Sequence, residues 1–100
     1  MINVGGDWLS QENAILIGKK PAMNYVLACL TAFHEGAEEV VIKARGRPIS
    51  TAVDVAEMVR RKFMPSASIS EVTIGTEEIQ LREGGVKRTS SIMIKMRRKK

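Results

Sequence analysis

The stretch "EEVVIKARGRPISTAVDVAEMVRRKF" (residues 38–63) decides the fold. Its first seven residues, 38–44, form an apolar run without clear alternation. That is the pattern of a strand buried on both faces. "RGRP" (45–48) breaks the run. Pro48 then falls in the first turn of a helix, where its missing N–H costs nothing. Ile49, Ala52, Val53, Ala56, Val59 and Phe63 follow as a core stripe, with Ser50, Asp54, Glu57 and Arg61 on the wet face. Val55 and Met58 widen the apolar arc past one face. The excess suits either the edge of the core or a second buried surface, a partner subunit. Arg60 lies inside the stripe near the helix end, where its long stem would snorkel to water. Pro65 stops the helix.

The same grammar runs toward the N-terminus. Residues 14–18 read as a short buried strand, and Pro21 opens a helix. Ala22, Val26, Cys29, Leu30 and Phe33 keep helical spacing, with Met23 and Leu27 beside them and Asn24, Thr31 and Glu35 opposite. Gly36 is the expected C-cap. Residues 1–13 show no period and read as a flexible arm. Trp8 is its one odd feature, either packed on the body or an exposed contact.

Toward the C-terminus, Val72 and Ile74 alternate, as do Ile79 and Leu81, then Ile92, Ile94 and Met96. Gly84-Gly85 is a turn signal, so the segment predicts a long hairpin. Gly75 is the expected bulge. The order is β-α-β-α-β-β. It predicts an α/β two-layer sandwich, a four-stranded mixed sheet with two helices on one face and an extended C-terminal hairpin. One domain spans 14–100.

Composition bounds the rest. One hundred residues, 44% hydrophobic, support one modest core, and four aromatics make it an aliphatic one. No apolar run approaches the ~20 residues of a membrane span. The N-terminus lacks a basic region followed by a long apolar one, so no signal peptide is read. The single Cys29 sits in the apolar helical pattern and reads as a small buried hydrophobe in a reducing, intracellular setting. The expected location is the cytoplasm.

The net charge is +5. Charge alone means solubility as readily as a polyanion partner, so position decides. A strand–helix–strand unit of this kind is parallel with a right-handed crossover, which puts both strand ends on one sheet edge. "GKKP" (18–21) follows the first strand and "KARGRP" (43–48) spans the end of the second. Lys19, Lys20, Lys43, Arg45 and Arg47 are thereby gathered, and open α/β sheets bind ligands at that edge. Two lysines beside a helix N-terminus are unfavourable by roughly 0.3–1 kcal/mol unless an anion arrives. With a phosphate present, helix dipole and ammonium groups pull on the same charge. Arg82, Lys87 and Arg88 flank the hairpin tip, and a basic two-stranded ribbon is one way into a DNA groove.

Catalytic patterns are missing. "GKKP" lacks the G-x-x-x-x-G-K-[ST] spacing of a P-loop. One Cys and one His (His34) make no usual metal set. No acidic residues form an acid/base pair. Neither enzyme activity nor a cofactor or metal is expected. Aromatics for base stacking are also scarce.

"ILIGKKPAMNYVLACL", "EVVIKARGRPISTAVDVAEMVRRKF" and "TSSIMIKMRRKK" resemble the Alba family of small archaeal chromatin proteins. "IGKKP-x-M-x-Y" joined to "IKARGR-x-I-x-x-AVD" is a specific combination, and the likeness runs from about residue 14 to the C-terminus. The resemblance implies a homodimer that coats and compacts double-stranded DNA without sequence preference. It also implies RNA binding, as in ribonucleoprotein scaffolds, as the alternative. It places Lys19, Lys20, Arg45 and Arg47 on the DNA-facing body and Arg88 on the arm, with Arg82 and Lys87 less closely matched. The second helix, with Val55 and Met58, is the expected dimer interface. Phe63 matches a residue that joins one dimer to the next along DNA. Lys19 matches an acetylation target. A heterodimer with a paralogue is a further partner that such a family allows.

Overall fold

The computed structural model of the chain describes residues 13–99. The N-terminal arm before Asn13, including Trp8, lies outside the described residues. The elements are β1 (Ala14–Leu16), α1 (Ala22–His34), β2 (Glu39–Arg45), α2 (Pro48–Met58), β3 (Ala67–Gln80) and β4 (Val86–Arg98). β1 pairs parallel with β2, β2 antiparallel with β4, and β4 antiparallel with β3. The sheet order is therefore β1-β2-β4-β3, and the sheet is four-stranded and mixed as expected.

The core lies between the helices and one face of the sheet. β2 contributes Val40, Ile42 and Ala44, and β4 contributes Ile92, Ile94 and Met96. α1 buries Val26, Cys29 and Phe33, spaced so that one face meets the sheet. Each fully buried side chain of this size is worth about 1.5–3 kcal/mol. α1 ends as Gly36 suggests. Gly36 takes φ +108°, its N–H donates to the Phe33 carbonyl, and the Ala37 N–H donates to Ala32. These bonds satisfy carbonyls that the helix leaves open. Arg98 Nη1 also donates to the Phe33 carbonyl at 2.9 Å, a cation at a helix C-terminus.

The phase of α2 differs from the sequence expectation. Its buried residues are Ala52, Val55 and Ala56, with Val59 just beyond, and Val53 is exposed. Val55 is fully buried in the chain's own core, and Met58 is partly buried against it. Val55 is therefore not an open dimer face, whereas Met58 keeps part of its surface exposed. After Met58 the chain continues into a π-helical turn, Val59–Phe63, in which the Met64 N–H reaches back to the Val59 carbonyl at 2.7 Å. The wider turn breaks the stripe and leaves Phe63 46% exposed. Arg60 does not snorkel freely. Its guanidinium grips the Glu57 carboxylate, with Nε and Nη2 donating at 2.8–3.0 Å.

β3 carries two further differences. The register shift sits between Ile69 and Glu71, while Gly75 pairs regularly with Ser91. Val72 and Ile74 pair with Ile94 and Ile92 and so share the core-side face, yet both are exposed. α2 packs on β2 and β4, which leaves this part of β3 uncovered.

Candidate nucleic-acid interface

β1 and β2 run parallel, so their carboxyl ends share one edge of the sheet. Residues 17–21 leave β1 there, and Gly46-Arg47 leaves β2. Lys19, Lys20 and Arg47 are exposed, and Arg45 is half-buried. The antiparallel pairing adds the hairpin to the same edge. β2 ends where Arg45 faces Ser91 of β4, and the β3–β4 ladder continues five pairs further, from Thr76–Ser90 to Gln80–Val86. At ~3.4 Å per residue the arm projects roughly 17 Å past the basic loops. It contributes to a longest dimension of 47 Å.

Two contacts hold the loops in place. The Tyr25 hydroxyl, one turn into α1, accepts the Gly18 N–H at 2.9 Å and the Lys20 N–H at 3.2 Å. It fixes the backbone on both sides of Lys19. Gly46 has φ +68°, and its N–H donates to the Ser90 carbonyl at 2.9 Å, tying the second loop to the base of the arm. A methyl group at Gly46 would lie 3.2 Å from Thr89 Oγ1. Glycine suits this position both for its backbone conformation and for the close approach. Pro48 follows as the first residue of α2.

The charges are not equally available. Lys43 is 1% exposed, because it lies within β2, its side chain standing on the sheet face rather than at the loop. The expectation that it contacts nucleic acid is corrected: a buried ammonium cannot reach a phosphate outside. Arg82, Lys87 and Arg88 are exposed on the arm, but Arg88 Nε lies 3.4 Å from Glu78. Between residues 77 and 88 Glu77, Glu78 and Glu83 balance Arg82, Lys87 and Arg88, so the arm is formally neutral. The body loops, with no acid between Gly18 and Pro21 or between Arg45 and Pro48, carry the positive field. Near the end of α2, hydrogen bonding from Arg60, then Arg61, holds the Glu57 carboxyl below its usual range. Those two arginines are thus partly occupied.

The remaining candidates behave as structural residues. Cys29 is buried, and desolvation pushes its thiol pKa up to about 12. It stays protonated and unreactive. Among the described residues no group of His, Cys, Asp and Glu could hold a metal ion. None of their helices is long and apolar enough to cross a membrane. Phe63 borders an open cleft with Leu30, His34, Met64 and Arg98.

Sequence reasoning missed the role of Tyr25. The residue was visible in "PAMNY", but nothing in its spacing reveals that its hydroxyl meets two loop amides.

The Alba family model matches residues 13–76, more than half of the chain. The chain belongs to the Alba family. It is 56% identical over 73 residues to the DNA/RNA-binding protein Alba 1 of Archaeoglobus fulgidus, covering 73% of this chain and 82% of that one. It is 50% identical over 90 residues to the DNA/RNA-binding protein Alba of Methanocella arvoryzae, 90% and 94% of the two chains. Among solved structures, Alba from Thermoplasma volcanium superposes with a TM-score of 0.81 at 50% identity, over 86% of this chain and all of that one. The Alba match contains both basic loops and ends at residue 76, before the arm's tip "REGGVK" (82–87).

Proposed function

We propose that this Alba-family chain binds double-stranded DNA without sequence preference, as a non-enzymatic homodimer that coats and compacts it. One observation carries the reading: two basic loops and a projecting ribbon leave the same sheet edge. Lys19, Lys20, Arg45 and Arg47 meet phosphates, and the arm reaches from the backbone toward a groove. The relatives' names, which state DNA/RNA binding, support it. Those names equally support RNA as the partner. Phosphate contacts dominate both and use the same side chains. Few Asn or Gln residues accompany the basic groups, so base edges go largely unread. Acetylation of Lys19, which is exposed, would remove one of the charges.

The dimer face is read from what the fold leaves uncovered. Val53 of α2 and Val72 and Ile74 of β3 are exposed and apolar. They replace the fully buried Val55 in that role, with the partly exposed Met58 kept beside them. Phe63, at the end of the π-helical turn that follows α2, is the contact between neighbouring dimers.

The test is a titration of duplex DNA and of RNA with the Lys19→Ala/Lys20→Ala variant and with Arg45→Ala. Both variants should bind more weakly. Stability should shift by no more than about 0.5 kcal/mol for the exposed lysines, as surface substitutions do. Unchanged affinity of the double variant would make these lysines solvated bystanders. Crosslinking in cells, comparing recovered DNA with recovered RNA, separates the two partners.

A further inference from the structure

The Tyr25 hydroxyl does more than hold the loop. A phenolic oxygen has two acceptor positions and one proton to donate. Here the Gly18 and Lys20 amides occupy both acceptor positions. Among the described residues the hydroxyl donates to no protein acceptor. Its position is also set from both sides. The ring packs partly buried against the core, and a methyl at Gly18 would lie 3.3 Å from the oxygen. Rotation of the O–H is restricted, because turning the proton toward either amide would set donor against donor. The proton is therefore not spent on the loop backbone and is left for an acceptor from outside the Lys19–Lys20 loop.

We infer that Tyr25 is a direct phosphate contact: its O–H donates to a backbone phosphate oxygen held by the Lys19–Lys20 loop, while its lone pairs fix that loop. The inference rests on the proposed nucleic-acid binding and adds a neutral donor to a site otherwise built of cations. Neutral and charged contacts leave different traces. A lysine that neutralises a phosphate releases counterions, so its loss makes the salt dependence shallower, by about 0.9 in log–log slope per contact on duplex DNA. A hydroxyl neutralises nothing. Its loss lowers affinity at every salt concentration and leaves the slope alone.

Tyr25→Phe keeps the ring and removes only the oxygen. Wild type, Tyr25→Phe and Lys19→Ala/Lys20→Ala are titrated with the same duplex over a range of salt. For Tyr25→Phe a line parallel to wild type is expected, weaker by roughly three- to tenfold per loop, the net of one hydrogen bond. The lysine variant should give a shallower line. A Tyr25→Phe line that superposes on wild type overturns the inference. So does one that becomes shallow like the lysine variant, which would mean that Tyr25 acts solely by holding the lysines. A lysine variant indistinguishable from wild type would overturn the phosphate site itself. A second measurement needs no variant. The chain has one tyrosine, so a ¹³C label at its ζ carbon gives one resonance. That resonance should shift on saturation with duplex, and a resonance that stays in place also refutes the contact.

Discussion

Ile74→Asp tests the proposed dimer face. Ile74 is 77% exposed and Val72 53% exposed on the core-side face of β3, where α2 does not cover them. Fully burying an isoleucine is worth about 1.5–3 kcal/mol, so covering the exposed part of Ile74 contributes about 1–2 kcal/mol. A two-fold interface uses the residue twice, which makes the contribution roughly 2–4 kcal/mol per dimer. Aspartate removes that term and adds two carboxylates to be desolvated at the interface. The dimer dissociation constant should rise at least ~10²-fold. The monomer fold has little at stake, because the side chain touches mostly solvent. Sedimentation equilibrium over a concentration series reads the mass directly. Wild type should be a dimer throughout, and Ile74→Asp should become a monomer with unchanged circular dichroism. Two results would refute the reasoning: a monomeric wild type, or a variant that remains as dimeric as wild type.

Gly46→Ala should cost about 1–2 kcal/mol in denaturant unfolding, because a side chain is forced into a left-handed backbone conformation beside Thr89. It should also weaken DNA binding by loosening the seam between the second loop and the arm. Phe63→Ala should destabilise far less than the ~3–5 kcal/mol of a core phenylalanine, since nearly half of the residue is exposed. Its binding to a duplex covering one dimer should hold, while cooperativity on long DNA falls. A steep loss of melting temperature would return Phe63 to the core.

Much of this arrangement was legible in the sequence. Two apolar runs, each followed by a basic loop and a proline-started helix, led through the right-handed crossover rule to one shared edge. The Gly84-Gly85 turn gave the arm. What escaped depends on orientation rather than on residue type. Val53 and Val55 are equally apolar, so composition cannot fix which one faces inward; packing of α2 on β2 and β4 does that. The π-helical turn after Met58 leaves no hydrophobic signature, and it is what separates Phe63 from the stripe. Lys43 was grouped with its basic neighbours because charge is visible in a sequence, whereas its position inside β2 sets its burial. The sequence shows Arg88 as one cation among several, and only the strand register places Glu78 opposite it. Tyr25 required interatomic distances, because its significance lies in which of its hydrogen-bonding positions are already filled.

The most direct test of the basic edge is the salt dependence of wild-type affinity for duplex DNA. The exposed Lys19, Lys20 and Arg47 of two protomers would neutralise about four to six phosphates, for a slope of log K against log salt of about −4 to −5. A slope of about −4 to −5, with similar affinity for unrelated duplex sequences, is the expected result. A nearly flat salt response, or a large preference for one sequence, would contradict it.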